Sequence, residues 1–234
     1  MIKTNKGLVE YATAQLGRPY WYGTFGNIAT TDLLNMKTGQ YPAHYQKARM
    51  DRYKKQLGER VHDCVGLIKG YLWSDSANSK PVYNSSQDVS ANGMLLKCKE
   101  RGRIYTLPEI PGILVFMPGH VGIYIGGGKV IEARGFNYGV VETDINSRPW
   151  ENWGKCPWIK YPAASRYFSS CDKNETSIVD ALKSLGENSS YSSRKVIAAA
   201  NGISDYAGTV KQNIRLLSLL KQGILIKPER AYVN

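Results

Sequence analysis

The sequence predicts an α+β protein in which helices pack on an antiparallel sheet, followed by a small three-helix domain. Apolar residues recur at helical intervals from Gly7 to Leu16, where a Gly-Arg-Pro segment ends the first helix. Beyond residue 102 the pattern changes to strands, separated by glycine-containing turns, over 113–117, 120–125, 129–134 and 139–143. Three further helices, each closed by a glycine or by Asn-Gly, are predicted over 178–185, 193–200 and 210–222.

Composition and charge narrow the classes of function. The chain has 234 residues, of which 42% are hydrophobic, enough for one good-sized folded domain and a small one. The 31 Lys and Arg against 19 Asp and Glu give a formal net charge of +12, which favours an anionic partner such as a wall polymer. No nucleic-acid-binding motif frames the basic residues, so nucleic acid is not expected as a partner. No apolar run of about 20 residues predicts a membrane span, so stable membrane insertion is not expected either.

The cysteines and histidines do not form a metal-binding or disulfide pattern. The four cysteines are widely spaced, and none of the three histidines stands at metal-ligand spacing to one of them. We therefore expect no metal and no other cofactor. No pattern in the sequence indicates an oligomeric state.

The chain is predicted to contain two domains. The first covers residues 1–167 and includes a polar, basic insertion at 27–61 with one helix near 43–57. A short polar segment without periodicity, 168–176, is predicted to link it to a helical domain at 177–234. The basic cluster at the N-terminus has no apolar segment behind it, so no signal peptide is predicted and synthesis in the cytoplasm is expected.

Cys64 is a candidate nucleophile because of its place at a predicted helix start. It follows Asp63, a residue type that caps helices, and precedes an apolar run with Val65 and Ile68 at helical spacing. A helix N-terminus stabilises a thiolate and can lower a cysteine pKa from about 8.5 into the neutral range. A buried structural cysteine is the alternative, since free cysteine is among the most buried residue types.

His120 is the candidate base, and Glu132 the residue that orients it. His120 follows Pro-Gly and opens a predicted strand. If Gly126–Gly128 form a three-residue turn, Glu132 lies diagonally opposite His120 on the same face, at about 7–8 Å between Cβ atoms. A carboxylate there can hold the imidazole tautomer that accepts a proton. A two-residue turn would instead place Glu132 on the opposite face, and the alternative role for Glu132 is a surface ion pair with Arg134 or Lys129.

An aromatic stretch at 20–26 precedes the cysteine. Trp21 and Tyr22 lie between glycines in a density that is unusual for an exposed loop. Two interpretations are open, since such rings either line a ligand groove or fill the core.

These motifs together resemble the NlpC/P60 family of papain-like cysteine peptidases, bacterial and phage enzymes that cut the peptide part of peptidoglycan. The resemblance covers most of residues 7–145, and its motifs are Leu-Gly-Arg-Pro-Tyr-Trp-Tyr-Gly at 16–23, Asp-Cys-Val-Gly-Leu at 63–67, Pro-Gly at 111–112 and His-Val-Gly-Ile-Tyr-Ile-Gly at 120–126. It implies a papain-like fold in which Cys64 is the nucleophile, His120 the base and Glu132 the orienting residue, where the family usually has histidine. It also implies a place for Tyr22 beside the cysteine.

Other positions carry a less specific implication. The resemblance suggests that Asp63 meets a substrate amine, although helix capping explains the residue equally well. Trp21, together with Tyr22 and Asp63, is a candidate for oxyanion or substrate binding. Val65 stands where the family usually has serine, and simpler family members lack an insertion such as 27–61.

The resemblance implies a peptidoglycan hydrolase without a cofactor. The expected reaction is cleavage of an amide in the stem peptide by a phage endolysin that reaches Gram-positive cell walls after release from the cytoplasm. An N-acetylmuramoyl-L-alanine amidase would use the same residues, and a catalytically silent wall-binding protein is an alternative of a different class. The segment 177–234 resembles, more weakly, helical wall-binding modules of phage and clostridial lytic enzymes, with dimerisation or packing as its alternative role.

Overall fold

The computed structural model describes residues 2–161 and 167–228. The chain divides into two compact units, Met1–Tyr161 (unit 1) and Pro162–Asn234 (unit 2). The division therefore falls before the end of the first predicted domain at residue 167. The described helices are α1 Asn5–Ala14, α2 Thr31–Gln40, α3 Met50–Lys55, α4 Cys64–Trp73, α5 Ala91–Lys97, α6 Ile178–Ser184, α7 Tyr191–Ala200 and α8 Val210–Lys221.

Two antiparallel sheets complete unit 1. The strands are β1 Phe25–Ile28, β2 Arg60–His62, β3 Arg101–Arg103, β4 Leu114–Met117, β5 His120–Gly126, β6 Lys129–Ala133, β7 Val140–Asp144 and β8 Asn152–Gly154. Strands β1 and β2 pair with each other, and the other six form one sheet in the order β3-β8-β4-β5-β6-β7. The predicted α+β class is confirmed, and β4 to β7 are the predicted meander. Strand β8 lies beyond the predicted meander and pairs with β4.

The hairpin between β5 and β6 has the predicted register but a different turn. Gly126 pairs with Lys129, so the turn itself has two residues, Gly127 and Gly128. An irregularity between Tyr124 and Gly126 then shifts the pairing, so that Ile123 lies opposite Ile131 as a three-residue turn would require. The bulge thus keeps Glu132 on the same face of the sheet as His120.

Helix α4 packs against one face of the large sheet. Its buried side chains Leu67 and Ile68 share a core with Leu114, Ile123 and Ile131 of the sheet. The opposite face carries a smaller cluster of Val115, Tyr124, Val130 and Trp150. The sheet is therefore covered on both faces near the start of β5, which limits how His120 and its neighbours can move.

The 27–61 segment contains more structure than the sequence indicated. Its first helix, α2, was not predicted, and the predicted helix at 43–57 is reduced to α3 and a short 3-10 turn before it. These elements enclose a separate core that includes Trp21, Leu34, Tyr45, Tyr53 and Val61. The segment is thus a small packed layer rather than a loose insertion.

Unit 2 contains the three helices expected near the C-terminus. Two residues of the predicted linker, Phe168 and Cys171, are buried in its core with Ile178, Leu182 and Leu216. The 168–176 segment is therefore part of unit 2, because the helices of that unit bury its apolar side chains. In the described part of the chain, no helix is long and apolar enough to cross a membrane.

Candidate active site

Asp63 determines how helix α4 begins. Its Oδ1 accepts a hydrogen bond from the Gly66 N–H at 2.5 Å, which caps the helix, and its Oδ2 accepts one from the Gly23 N–H at 2.8 Å. A Cβ at Gly66 would lie 1.8 Å from the carbonyl oxygen of Thr24, so only glycine permits this approach. The capping role of Asp63 is thus observed, and it ties the start of α4 to the aromatic stretch.

The pKa of Cys64 is raised, whereas its place at a helix start predicted a lowered one. Burial raises it, the Asp63 carboxylate raises it further, and backbone N–H groups of Val121, Val65 and Cys64 lower it only in part, so it rises to about 12. The prediction of a lowered pKa was wrong because removal of the thiolate from water outweighs the helix N-terminus. The resting side chain is a neutral thiol that needs a base, and the contribution of the Val121 N–H places the sulfur at the start of β5.

His120 is held between a carboxylate and an indole. Its Nε2 lies 2.7 Å from Oε2 of Glu132, and its ring stacks on Trp150 with a centroid distance of 5.7 Å and an interplanar angle of 17°. The His120 side chain is 14% exposed. When Nε2 carries the proton donated to Glu132, Nδ1 is the nitrogen that can accept one.

Glu132 is fully buried and has three polar neighbours. Thr143 Oγ1 donates to its Oε1 at 2.9 Å, and Arg148 Nε lies 3.2 Å from the same oxygen. Burial raises the pKa of Glu132, but the hydrogen bonds from His120 and Thr143 and the electrostatic interactions with His120 and Arg148 outweigh it. The pKa is therefore below its usual value, and the carboxylate is ionised at neutral pH.

Trp21 is part of the core and not of a ligand wall. It is fully buried, its Nε1 donates to Gln56 Oε1 at 2.7 Å, and its ring packs edge-on against Tyr45 and Tyr53. Its proposed role in oxyanion or substrate binding was therefore wrong, because the insertion supplies both the apolar cover and the acceptor for the indole N–H.

Tyr22 has a different environment and remains partly exposed. Its ring stacks on His44 at 3.6 Å between centroids and meets Tyr41 edge-on at 5.0 Å. Burial raises its pKa, and electrostatic interactions with Asp63, Tyr41 and Cys64 raise it further. The structure thus brings Tyr22 close to the cysteine, with the insertion forming the far side.

Sequence reasoning missed four residues around the site. Thr143 could have been found from the strand pattern. Glu132 of β6 lies opposite Val141 of β7, so Thr143 is the diagonal neighbour of Glu132 on the same face of the sheet. No local pattern indicated that Arg148 and Trp150, beyond the meander, return to the His120–Glu132 pair. Tyr20 lies in the aromatic stretch but was not singled out, and burial with the charges of Asp63 and Cys64 raises its pKa.

Nothing in the described residues suggests a metal centre. Over 2–161 and 167–228, no group of three or more His, Cys, Asp or Glu side chains could hold an ion. The arrangement offers instead a thiol, an imidazole and a buried carboxylate, which are the groups that amide hydrolysis by a cysteine requires.

Comparisons with known proteins found similar structures only. No family model and no curated protein matches the chain. NlpC1 from Trichomonas vaginalis is 18% identical over 67% of this chain and 45% of its own, with a TM-score of 0.40. RipB, a peptidoglycan hydrolase from Mycobacterium tuberculosis, is 18% identical over 67% of each chain, with a TM-score of 0.38.

A third similar structure is an isolated domain. The NlpC/p60 domain of the peptidoglycan hydrolase SagA is 13% identical over 65% of this chain and 98% of its own, with a TM-score of 0.37. This chain spans about half the length of the two Trichomonas vaginalis structures, 45% of NlpC1 and 47% of NlpC2. Solved NlpC/P60 domains are thus among the structures that the chain resembles, and this is the family that its motifs resemble.

Proposed function

We propose that this protein is an NlpC/P60-type cysteine peptidase that hydrolyses an amide bond in peptidoglycan. The observation that carries the proposal is the His120–Glu132 pair, held at 2.7 Å, on a strand whose next residue, Val121, donates its backbone N–H to Cys64 at the start of α4. A catalytic imidazole needs such a buried, hydrogen-bonded carboxylate to fix its tautomer and to stabilise its protonated form.

The proposed reaction begins with the neutral thiol. His120 takes the proton of Cys64, and the sulfur forms a bond to the substrate carbonyl carbon. The negative charge moves to the carbonyl oxygen, which backbone N–H groups at the start of α4 stabilise. The charged Glu132 stabilises the imidazolium of His120 during this step.

The leaving amine departs with the proton of His120 as the carbon–nitrogen bond breaks. A thioester on Cys64 remains, and water attacks it while His120 again accepts a proton. The carboxylic acid product and the free thiol are then released. Each proton taken by His120 is returned, so the reaction needs no cofactor.

The motifs favour a bond in the stem peptide, which makes the protein an endopeptidase. Within the same proposal it is a phage endolysin, made in the cytoplasm and acting on Gram-positive walls after release. Cleavage between muramic acid and L-alanine, the amidase reaction, would use the same residues. Unit 2 would hold the enzyme on the wall and raise the local substrate concentration.

The test compares Cys64→Ala with Cys171→Ala, which removes a thiol from unit 2. Both proteins are incubated with purified Gram-positive walls, turbidity is followed, and the soluble fragments are identified by mass spectrometry. Shortened stem peptides indicate an endopeptidase, and free stems with a new N-terminal alanine indicate an amidase. Clearing by Cys64→Ala at the wild-type rate would refute the thiol mechanism.

Wall binding by unit 2 has a separate test. The inactive Cys64→Ala chain and the same chain ended after Tyr161 are sedimented with walls. The full chain is expected in the pellet, and the shortened chain mostly in the supernatant. Equal sedimentation of the two would refute the binding role of unit 2.

A further inference from the structure

Two arginines of the insertion lie on one aromatic ring of the turn between β6 and β7. The Cζ atoms of Arg49 and Arg52 are 5.0 Å and 4.7 Å from the centroid of Phe136, in the turn between β6 and β7. The two guanidinium groups are thus within about one Debye length of each other at 0.1 M salt, about 10 Å. Arg52 also donates to the carbonyl oxygen of Asn137 at 3.3 Å, which holds it against the same turn.

A third arginine approaches this turn from the strand side. The Cζ of Arg134 is 4.3 Å from the centroid of Tyr138, and its Nε is buried without a hydrogen-bond partner among the described residues. Arg49, Arg52 and Arg134 are called the arginine patch below. All three guanidinium groups are oriented by aromatic rings or backbone oxygens, so little side-chain entropy remains to be lost on binding.

The arginine patch has no internal counter-ion. Over 2–161 and 167–228, no carboxylate lies within the 4.0 Å ion-pair distance of any of its three arginines. Of the nearby acids, Glu59 pairs with Arg18, and Asp51 is exposed on α3 without an ion pair. Arg49 and Arg52 share one ring without a paired anion among the described residues, so their charges repel each other, and a bound polyanion would remove this cost.

The patch borders the candidate active site. Arg134 directly follows strand β6 and is two residues after Glu132, so a short piece of backbone connects the patch to the site. On the other side, the insertion is fastened to the aromatic stretch by Tyr45, whose hydroxyl donates to the carbonyl oxygen of Tyr22 at 2.8 Å. A ligand on the patch would therefore lie along the rim of the site.

We propose that the arginine patch binds a phosphodiester polymer of the cell wall, made of polyol-phosphate repeats. A guanidinium group forms two parallel hydrogen bonds with a phosphate and is weakly hydrated, which suits this anion better than an ammonium group would. Because the patch has several cations at different positions, it favours a polymer with repeated negative charges over a single anion. The choice of a wall polymer as the partner rests on the proposed function, and the insertion thereby gains the role of presenting the polymer-bearing wall to Cys64.

The experiment measures binding of the full chain to soluble poly(glycerol phosphate) by titration at several salt concentrations. Arg49→Gln/Arg52→Gln is compared with Lys54→Gln/Lys55→Gln, which removes the same charge from exposed positions of α3, the helix that carries Arg52. The arginine variant is expected to bind about tenfold more weakly or worse and to have a shallower salt dependence, while the lysine variant stays close to wild type. Arg49→Lys/Arg52→Lys keeps the charge without the planar fork and is expected to fall between them.

Three outcomes would overturn the proposal. The first is equal weakening by the arginine and lysine variants, which would make binding a matter of net charge. The second is no binding of the polymer by the wild-type chain. The third is tighter binding of a single-stranded oligonucleotide of equal charge, which would assign the patch to nucleic acid. Hydrolysis of a small uncharged peptide substrate is expected to be unchanged in the arginine and lysine variants. Loss of polymer binding is therefore distinguishable from failure of the proposed reaction.

Discussion

Replacement of Glu132 by glutamine tests whether the buried charge matters to catalysis. The substitution keeps the shape and an oxygen that can accept from His120, but it removes the negative charge 2.7 Å from Nε2. Glu132 is fully buried and His120 is 14% exposed, so the charges interact in a partly shielded medium. At an effective dielectric constant of about 20, unit charges about 4 Å apart interact by about 4 kcal/mol.

Only the part of this energy that differs between neutral and protonated His120 affects the rate. We expect kcat/KM to fall roughly 10²–10³-fold, since each 1.36 kcal/mol corresponds to about tenfold. The assay is release of soluble stem peptides from purified walls over a range of pH, with folding verified by circular dichroism. Glu142→Gln, at an exposed position on β7, is the matched control and is expected to keep wild-type activity. A Glu132→Gln variant within threefold of wild type, with the same pH profile, would refute the orienting role.

Three further predictions follow from the same contacts. Because the pKa of Cys64 is raised to about 12, its alkylation by iodoacetamide is expected to accelerate steadily up to pH 10, and a plateau near pH 7 would contradict this. Gly66→Ala is expected to unfold or severely destabilise the protein through its clash with Thr24, whereas Gly39→Ala on α2, where a Cβ meets nothing within 4 Å, should raise the free energy of unfolding by about 0.4–1 kcal/mol in urea. The folded-state pKa of Glu132 is below its unfolded value, so its stabilisation is present above the unfolded pKa and is lost as pH falls through the folded one. As the pH falls below the ordinary glutamate pKa, wild-type stability should therefore fall more steeply than that of Glu132→Gln, and parallel curves would count against this.

Much of the candidate site could be predicted because it depends on short-range patterns. A capping residue before an apolar run places Cys64 at a helix start, and alternation along two strands joined by glycines places His120 and Glu132 on one face. The predicted length of the turn between β5 and β6 was wrong, but the predicted register was right. The bulge restores the pairing that buries Ile123 and Ile131. A one-residue slip would have turned that whole apolar set outward, and this cost constrains the register more strongly than the turn does.

Other features could not be predicted, because they depend on which segments pack together. From the sequence, Trp21 fits a ligand groove and a core equally well. Only the folded insertion shows that it is a core residue, because Gln56 accepts the hydrogen bond of its indole N–H. Arg148 and Trp150 reach the catalytic pair from beyond the meander, at a separation that no periodicity describes. The helix α2 lies in a polar stretch with little amphipathic pattern, so its formation depends on the core that it covers.

The sequence by itself determined the helix start at Cys64, the register that sets Ile123 opposite Ile131 between β5 and β6, and the α+β class. These follow from backbone preferences and from apolar periodicity, which act over a few residues. The tertiary structure decided the protonation of the site: the thiol is neutral because it is buried beside Asp63, and Glu132 is ionised because Thr143, His120 and Arg148 surround it. The free energy of a buried charge depends on all groups packed around it, and distant segments supply most of those groups.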